Sequence, residues 1–178
     1  MKNALLMLLV ILFASASFAS ADDTVVRWRQ IVGVITAPNV DNPVATTLSP
    51  SPIHSGTLPW TTKGGRASVN LSTGAVSFDV DGLVLNGGNA TGTPGPIDQV
   101  EGSLICDAGS TDQTIFTTAP VPLSAQGNAD FSGTFGTIPG TCTNPLFLIR
   151  IGPDRPGANQ RWIATGAVRS FGDSHDRN

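Results

Sequence analysis

No tyrosine occurs in this 178-residue chain, and histidine and cysteine appear only twice each. With three tryptophans and no tyrosine, the chain is poor in the aromatic faces on which sugar rings stack, and Trp60 is the one loop aromatic of interest. The two histidines, His54 and His175, are remote in sequence and lack ligand spacing, so no metal site is expected. A C-x-x-C redox pair is absent. So are the G-x-S-x-G, H-E-x-x-H and Cys-His patterns that announce a hydrolase. Charged residues make up 13% of the chain, and the basic ones beyond Lys2 are scattered from Arg27 to Arg177 without forming a run. That distribution argues against nucleic acid and against an anionic membrane surface.

What is present begins with an export signal at residues 1–21. Lys2 supplies the positive start, residues 4–14 an apolar stretch, and Ala19-Ser20-Ala21 the small-residue cleavage pattern. The stretch is about half the length a membrane span needs, and Asp22 and Asp23 follow it directly. No second apolar stretch is long enough to span, and no cysteine stands at the cleavage point to carry a lipid. The expectation is a secreted or extracellular protein, with the periplasm as the alternative. Removing residues 1–21 from 178 leaves 157, a length that suits one domain, placed at 22–171 with a polar tail at 172–178 expected to fray. With nine basic and 13 acidic residues left, the formal charge becomes −4. Cys106 and Cys142 both fall in the exported part, so they are expected to form a disulfide. Closing that loop is worth about 4 kcal/mol on a chain-entropy model.

Apolar residues alternate with period two or occur in short β-branched runs, punctuated by 20 glycines and 13 prolines. This predicts an all-β domain. The clearest case is the pair 66–71 and 75–81. Ala67, Val69 and Leu71 oppose Arg66, Ser68 and Asn70, while Val76, Phe78 and Val80 oppose Ser77, Asp79 and Asp81. Gly74 between them suits the positive φ of a tight hairpin. A further strand is predicted at 128–136, with Ala129, Phe131, Gly133 and Phe135 inward. Others fall at 25–35, 82–85, 99–106, 113–118, 146–151 and 161–169, the last with Trp162, Ala164, Gly166 and Val168 on one face. Eight or nine strands without a helix-length periodic segment predict an antiparallel β-sandwich, with a β-barrel as the alternative. The proline-rich stretch 36–65 and the Gly/Pro-rich stretch 86–96 are the long loops, and loops of such length are commonly functional or loosely ordered. The second lacks the helix start that a phosphate-binding loop needs.

Candidate chemistry is sparse. Asp79 and Asp81 share one strand face about 6.6 Å apart, a spacing within the range of a catalytic carboxylate pair, but two acids on a solvent face that keep an antiparallel strand soluble are the stronger reading. A calcium site joining them to Asp98 or Glu101 has no supporting loop pattern. His54 is the one histidine available to a nucleophile, and it lies in the proline-rich loop. Arg27 and Arg29 flank Trp28 on the first strand, and Arg150, Arg161 and Arg169 lie on or beside the last two. Pairing of the terminal strands would gather these into a basic, aromatic-lined patch for an anionic glycan or extracellular protein. Without that pairing they are ordinary outward charge beside a core tryptophan. Asn70-Leu-Ser and Asn89-Ala-Thr match the glycan-acceptor pattern, which has meaning only in a eukaryotic host.

The stretches Asp98-Gln-Val-Glu-Gly-Ser-Leu-Ile-Cys106, Val121-Pro-Leu-Ser-Ala-Gln-Gly-Asn-Ala129 and Arg161-Trp-Ile-Ala-Thr-Gly-Ala-Val-Arg169 resemble those of small exported bacterial all-β proteins of unassigned function. The resemblance brings no catalytic residue with it. Residues 66–83 are similar, over one hairpin, to the strand pattern of chordin-type (CHRD) repeats, although the His-x-His segment of that family is missing here. The resulting expectation is an extracellular binding or structural module without a cofactor, with Trp60, Arg27, Arg29, Arg150 and Arg161 as candidate binding residues. The alternative is a secreted hydrolase assembled from dispersed residues such as His54, Asp79 and Asp81.

Overall fold

The period-two alternation becomes antiparallel strands throughout. A computed structural model describes residues 25–37, 53–138, 141–153 and 161–172. The expected export signal at 1–21, residues 38–52 of the proline-rich stretch and the tail from 173 lie outside these described residues. Within them run β1 (Val25–Gly33), β2 (Trp60–Thr61), β3 (Gly64–Asn70), β4 (Ala75–Asp81), β5 (Val84–Leu85) and β6 (Gln99–Cys106). They are followed by β7 (Thr114–Thr117), β8 (Val121–Pro122), β9 (Ala129–Thr134), β10 (Leu146–Ile151) and β11 (Trp162–Phe171). Among the described residues no helix is long and apolar enough to cross a membrane.

Nine strands form one sheet in the order β7-β6-β10-β11-β1-β3-β4-β9, with β8 sharing the outer edge of β6 with β7. β2 and β5 make a separate two-stranded sheet. All of this pairing is antiparallel, as the sequence predicts. The large sheet curls into a half-barrel, an arrangement between the sandwich and barrel readings. The curl follows from where the aromatic rings meet. Phe78 on β4 and Phe147 on β10 are four strand steps apart, about 19 Å across a flat sheet. Their ring centroids nevertheless lie 5.7 Å apart, and Trp28 on β1 is 5.5 Å from Phe147. Two glycines provide the space. A Cβ on Gly102 would sit 2.7 Å from the Phe78 ring and 2.9 Å from that of Phe147, and one on Gly166 would sit 2.5 Å from the Trp28 indole.

The β3–β4 hairpin closes as expected. Gly74 has φ 71°, its N–H donates to Asn70 O at 2.8 Å, and Asn70 Oδ1 accepts from the amides of Ser72 and Thr73. Asn70 is therefore engaged in its own turn, whereas Asn89 is exposed.

Several expectations need correction. The proline-rich stretch is not loose where it is described. Ser55 bridges Trp162, Trp162 N donates to His54 O at 2.9 Å, and Trp60 N donates to Val34 O at 2.9 Å. Trp60, expected as a loop aromatic, instead lies on β2 opposite Leu85 and is 4% exposed. Val168 does not continue the inward row of β11: its φ of 54° turns the side chain outward, to 59% exposure. At the other end of β11 a register shift against Ile149 and Arg150 leaves Trp162, Ile163 and Ala164 all buried. On β9 only Ala129 is buried, while Phe131 is half-buried and Gly133 exposed, and Phe135 just past its end is half-buried as well. A terminal strand has a neighbour along one edge only, so its inward row is incompletely covered.

Cys106 and Cys142 are bonded, joining the end of β6 to the segment before β10. Replacing both by alanine is expected to lower unfolding free energy in urea by about 2–5 kcal/mol. Gly102→Ala should cost about 1–3 kcal/mol through forced movement of the Phe78 and Phe147 rings. Gly64→Ala serves as its control, since nothing lies within 4 Å of a Cβ there, and should stay within about 0.5 kcal/mol of wild type. Equal losses at the two glycines would contradict the packing argument.

Candidate binding groove on the outer sheet face

Trp28, Ala67 and Phe78 point into the half-barrel, so alternation turns Arg27, Ser68, Arg66, Ser77 and Asp79 to the outer face. The register then sets their neighbours. Ser170, Arg27, Ser68, Ser77 and Ser132 stand directly opposite one another across β11, β1, β3, β4 and β9. On the next row Arg66 faces Asp79, and Asp79 faces Asp130. Arg27, Arg29, Arg66, Ser68, Ser77 and Asp79 line a groove of about 330 Å³. Short serine side chains leave its middle open while the longer arginines rise at one side.

Charge is segregated in this groove. Guanidinium groups stand on β1 and β3 and the Asp79 carboxylate on β4, with Asp130 next to it on β9, beside the groove. Arg66 Nε donates to Asp79 Oδ1 at 2.7 Å, with Arg66 79% exposed. Such an exposed pair adds about 0–1 kcal/mol to stability. Its geometric effect is larger, because it holds the guanidinium plane while the Nη groups make no hydrogen bond to a described residue. Arg27 Nη1 donates to Gly172 O at 3.3 Å.

The other predicted arginines lie elsewhere. Arg150 is buried directly opposite Glu101, Nη1 to Oε1 at 3.8 Å, and Nη1 also donates to Ser103 Oγ and Thr117 Oγ1, both at 3.3 Å. Burial pushes the Glu101 carboxyl above its ordinary 4.5, with Arg150 pulling it part of the way back. Burial likewise lowers Arg150, opposed by Glu101. Arg161 Nη1 donates to Ser55 O at 2.6 Å beside a slot of about 140 Å³ walled by Leu58, Trp60, Leu85, Pro96 and Ile151. Trp60 and Arg161 therefore share a small apolar slot, apart from the groove. Arg169 stands opposite Trp28, its Nη1 donating to Pro145 O at 2.6 Å and its guanidinium over the Phe171 ring.

The hydrolase candidates are not gathered. His54 is carried beside the start of β11, and Asp79 and Asp81 belong to β4, with β1 and β3 between those strands. His175 lies outside the described residues. Among the described residues no group of three or more His, Cys, Asp or Glu is placed to hold a metal. A wide depression of about 770 Å³ beside the disulfide carries Asp107 and Asp112, but Asp107 Oδ1 is already taken by the amide and hydroxyl of Thr143. Sequence reasoning named Arg27 and Arg29 and missed Arg66, Ser68, Ser77 and Asp130 as their companions. The alternation placed Arg66, Ser68 and Ser77 outward. What was lacking was the β1–β3 register, which no local pattern encodes.

The Glu101 environment has a pH signature. The folded protein holds this proton more tightly than the unfolded chain, so the group's contribution favours folding below 4.5 and is lost as pH rises through the raised folded value. An NMR titration of wild-type protein should therefore find Glu101 above 4.5, and Arg150→Met should move it further up by removing the opposing cation. Titration of wild-type Glu101 below 4.5 would show that Arg150 outweighs burial. Compared with known proteins, the chain matches no family model, no curated protein and no solved structure.

Proposed function

We propose that the protein is an exported binding module that holds an anionic extracellular ligand in the outer groove of its curled sheet. The observation that carries this reading is the convergence of Arg27, Arg29 and Arg66 around the open row made by Ser68 and Ser77. Two of these arginines come from the first strand and one from the hairpin, so the cluster is a product of tertiary pairing rather than of a basic run. Guanidinium groups suit planar oxyanions because they donate in a fixed fork. The groove is concave enough to orient a small acidic group, and its serines offer both donors and acceptors.

The export reading rests on residues 1–21 and on the bonded Cys106 and Cys142, a pair compatible with an oxidising extracellular or periplasmic location. A hydrolytic reading has less support, because among the described residues the two groups displaced from their ordinary pKa, Glu101 and Arg150, are an ion pair to each other and line none of the three concavities described above.

Mature protein beginning at Asp22 should be retained on a neutral resin carrying single, sparsely coupled glucuronic acid residues and released as salt rises, since exposed charges are screened within about 10 Å at 0.1 M. The Arg27→Ala/Arg29→Ala/Arg66→Ala variant should elute with the unretained fraction, while Arg161→Ala elutes like wild type. Unchanged retention of the triple variant, with its fold confirmed by circular dichroism, would overturn the assignment of the groove.

A further inference from the structure

We infer that the groove's ligand is a glycan bearing a single acidic sugar next to neutral hydroxylated ones, its carboxylate over β1 and β3 and its hydroxyls running across β4 and β9. This rests on the binding function proposed above and identifies the ligand class.

The argument comes from the order of charges across the strands. Arg27, Arg29 and Arg66 occupy the β1 and β3 side, and Asp79 and Asp130 the β4 and β9 side. From β1 to β9 is three strand steps, about 14 Å, a span longer than one sugar ring. A ligand laid along this row meets cations at one end and carboxylates at the other. A uniform polyanion, whether an acidic peptide or a chain of uronic acids, would set its second charge over Asp79 and Asp130, where like charges repel. A neutral sugar would forgo the charge-assisted hydrogen bonds that a carboxylate makes to guanidinium groups.

The polar chemistry between the ends is that of hydroxyl recognition. Ser68, Ser77 and Ser132 stand in register, each able to donate and to accept, as a sugar hydroxyl does. The Asp130 carboxylate accepts only, so it matches hydroxyl donors and nothing anionic. Asp79 is partly engaged by Arg66, so the pair also couples the two ends: the carboxylate that receives Arg66 Nε leaves the Nη groups of that arginine for the ligand's acid. No exposed aromatic of the groove offers a stacking face, which leaves charge and hydrogen bonds as the means of recognition.

The test uses ¹⁵N-labelled mature protein and four probes: glucuronosyl-glucose, its neutral glucosyl-glucose counterpart, a disaccharide of two glucuronic acids, and diglutamate. Glucuronosyl-glucose should shift amides at both ends of the row, at Arg27 and Ser68 and at Ser77 and Ser132. The other three should bind about tenfold or more weakly, the loss of one charge-assisted contact or the gain of one repulsion. Asp130→Ala should weaken glucuronosyl-glucose and strengthen the diacid, narrowing the gap between them. If the diacid or diglutamate binds wild type as well as glucuronosyl-glucose does, and Asp130→Ala changes neither, the acid-sugar assignment fails while the anion-binding groove stands. If none of the acidic probes shifts residues of β1 and β3, the groove itself is not a binding site and both readings fall.

Discussion

The first described strand, Val25–Gly33, is hydrogen-bonded along both edges, to β11 on one side and β3 on the other. Without it the large sheet would be two unconnected pieces, β7-β6-β10-β11 and β3-β4-β9. This one strand therefore brings the chain's C-terminal half beside its central hairpin. Its inward residues also anchor the core, with Val26, Trp28 and Ile31 all buried. The curl, the aromatic contact between Trp28 and Phe147, and the meeting of Arg27 with Ser68 all depend on the same double pairing. Fold and groove share a cause.

Two populations of arginine show how environment, rather than residue type, determines role. Arg150 interrupts an otherwise apolar run, Leu-Phe-Leu-Ile-Arg-Ile, on a strand covered on both faces. A charge in that position is tolerable only with partners, and Glu101, Ser103 and Thr117 provide them from adjacent strands. At Glu101 desolvation outweighs the attraction of Arg150, and the two residues stand directly opposite each other where β6 and β10 align. Arg66, by contrast, stays mostly in solvent, and its carboxylate partner Asp79 restrains it there.

Much of the strand content was legible because period two is a local signal. Residues 75–81, 99–106 and 146–151 were bounded as they occur, and the hairpin glycine was read correctly. β2 and β8 were missed because two residues carry no period. The burial of Trp60 was not legible either: proline density suggested a loop, and its partners Val34 and Leu85 lie far off in sequence. Arg150 was read as surface, although an arginine inside a six-residue apolar run is itself a sign of a strand buried on both faces. For the groove, the facing of each side chain could be read locally, but not which strands become neighbours. Adjacency is set by long-range pairing and the curvature that Gly102 and Gly166 permit.

The bonded cysteines enclose β7, β8 and β9. Those strands occupy both extremes of the curled sheet: β7 and β8 lie along β6 at one end, and β9 along β4 at the other. The chain between the two sulfurs thus travels from one rim of the half-barrel to the other and back, and the bond turns that excursion into a covalent ring. A single cut anywhere in the ring leaves both fragments joined through the disulfide, so a protease must cleave twice before a rim strand is released.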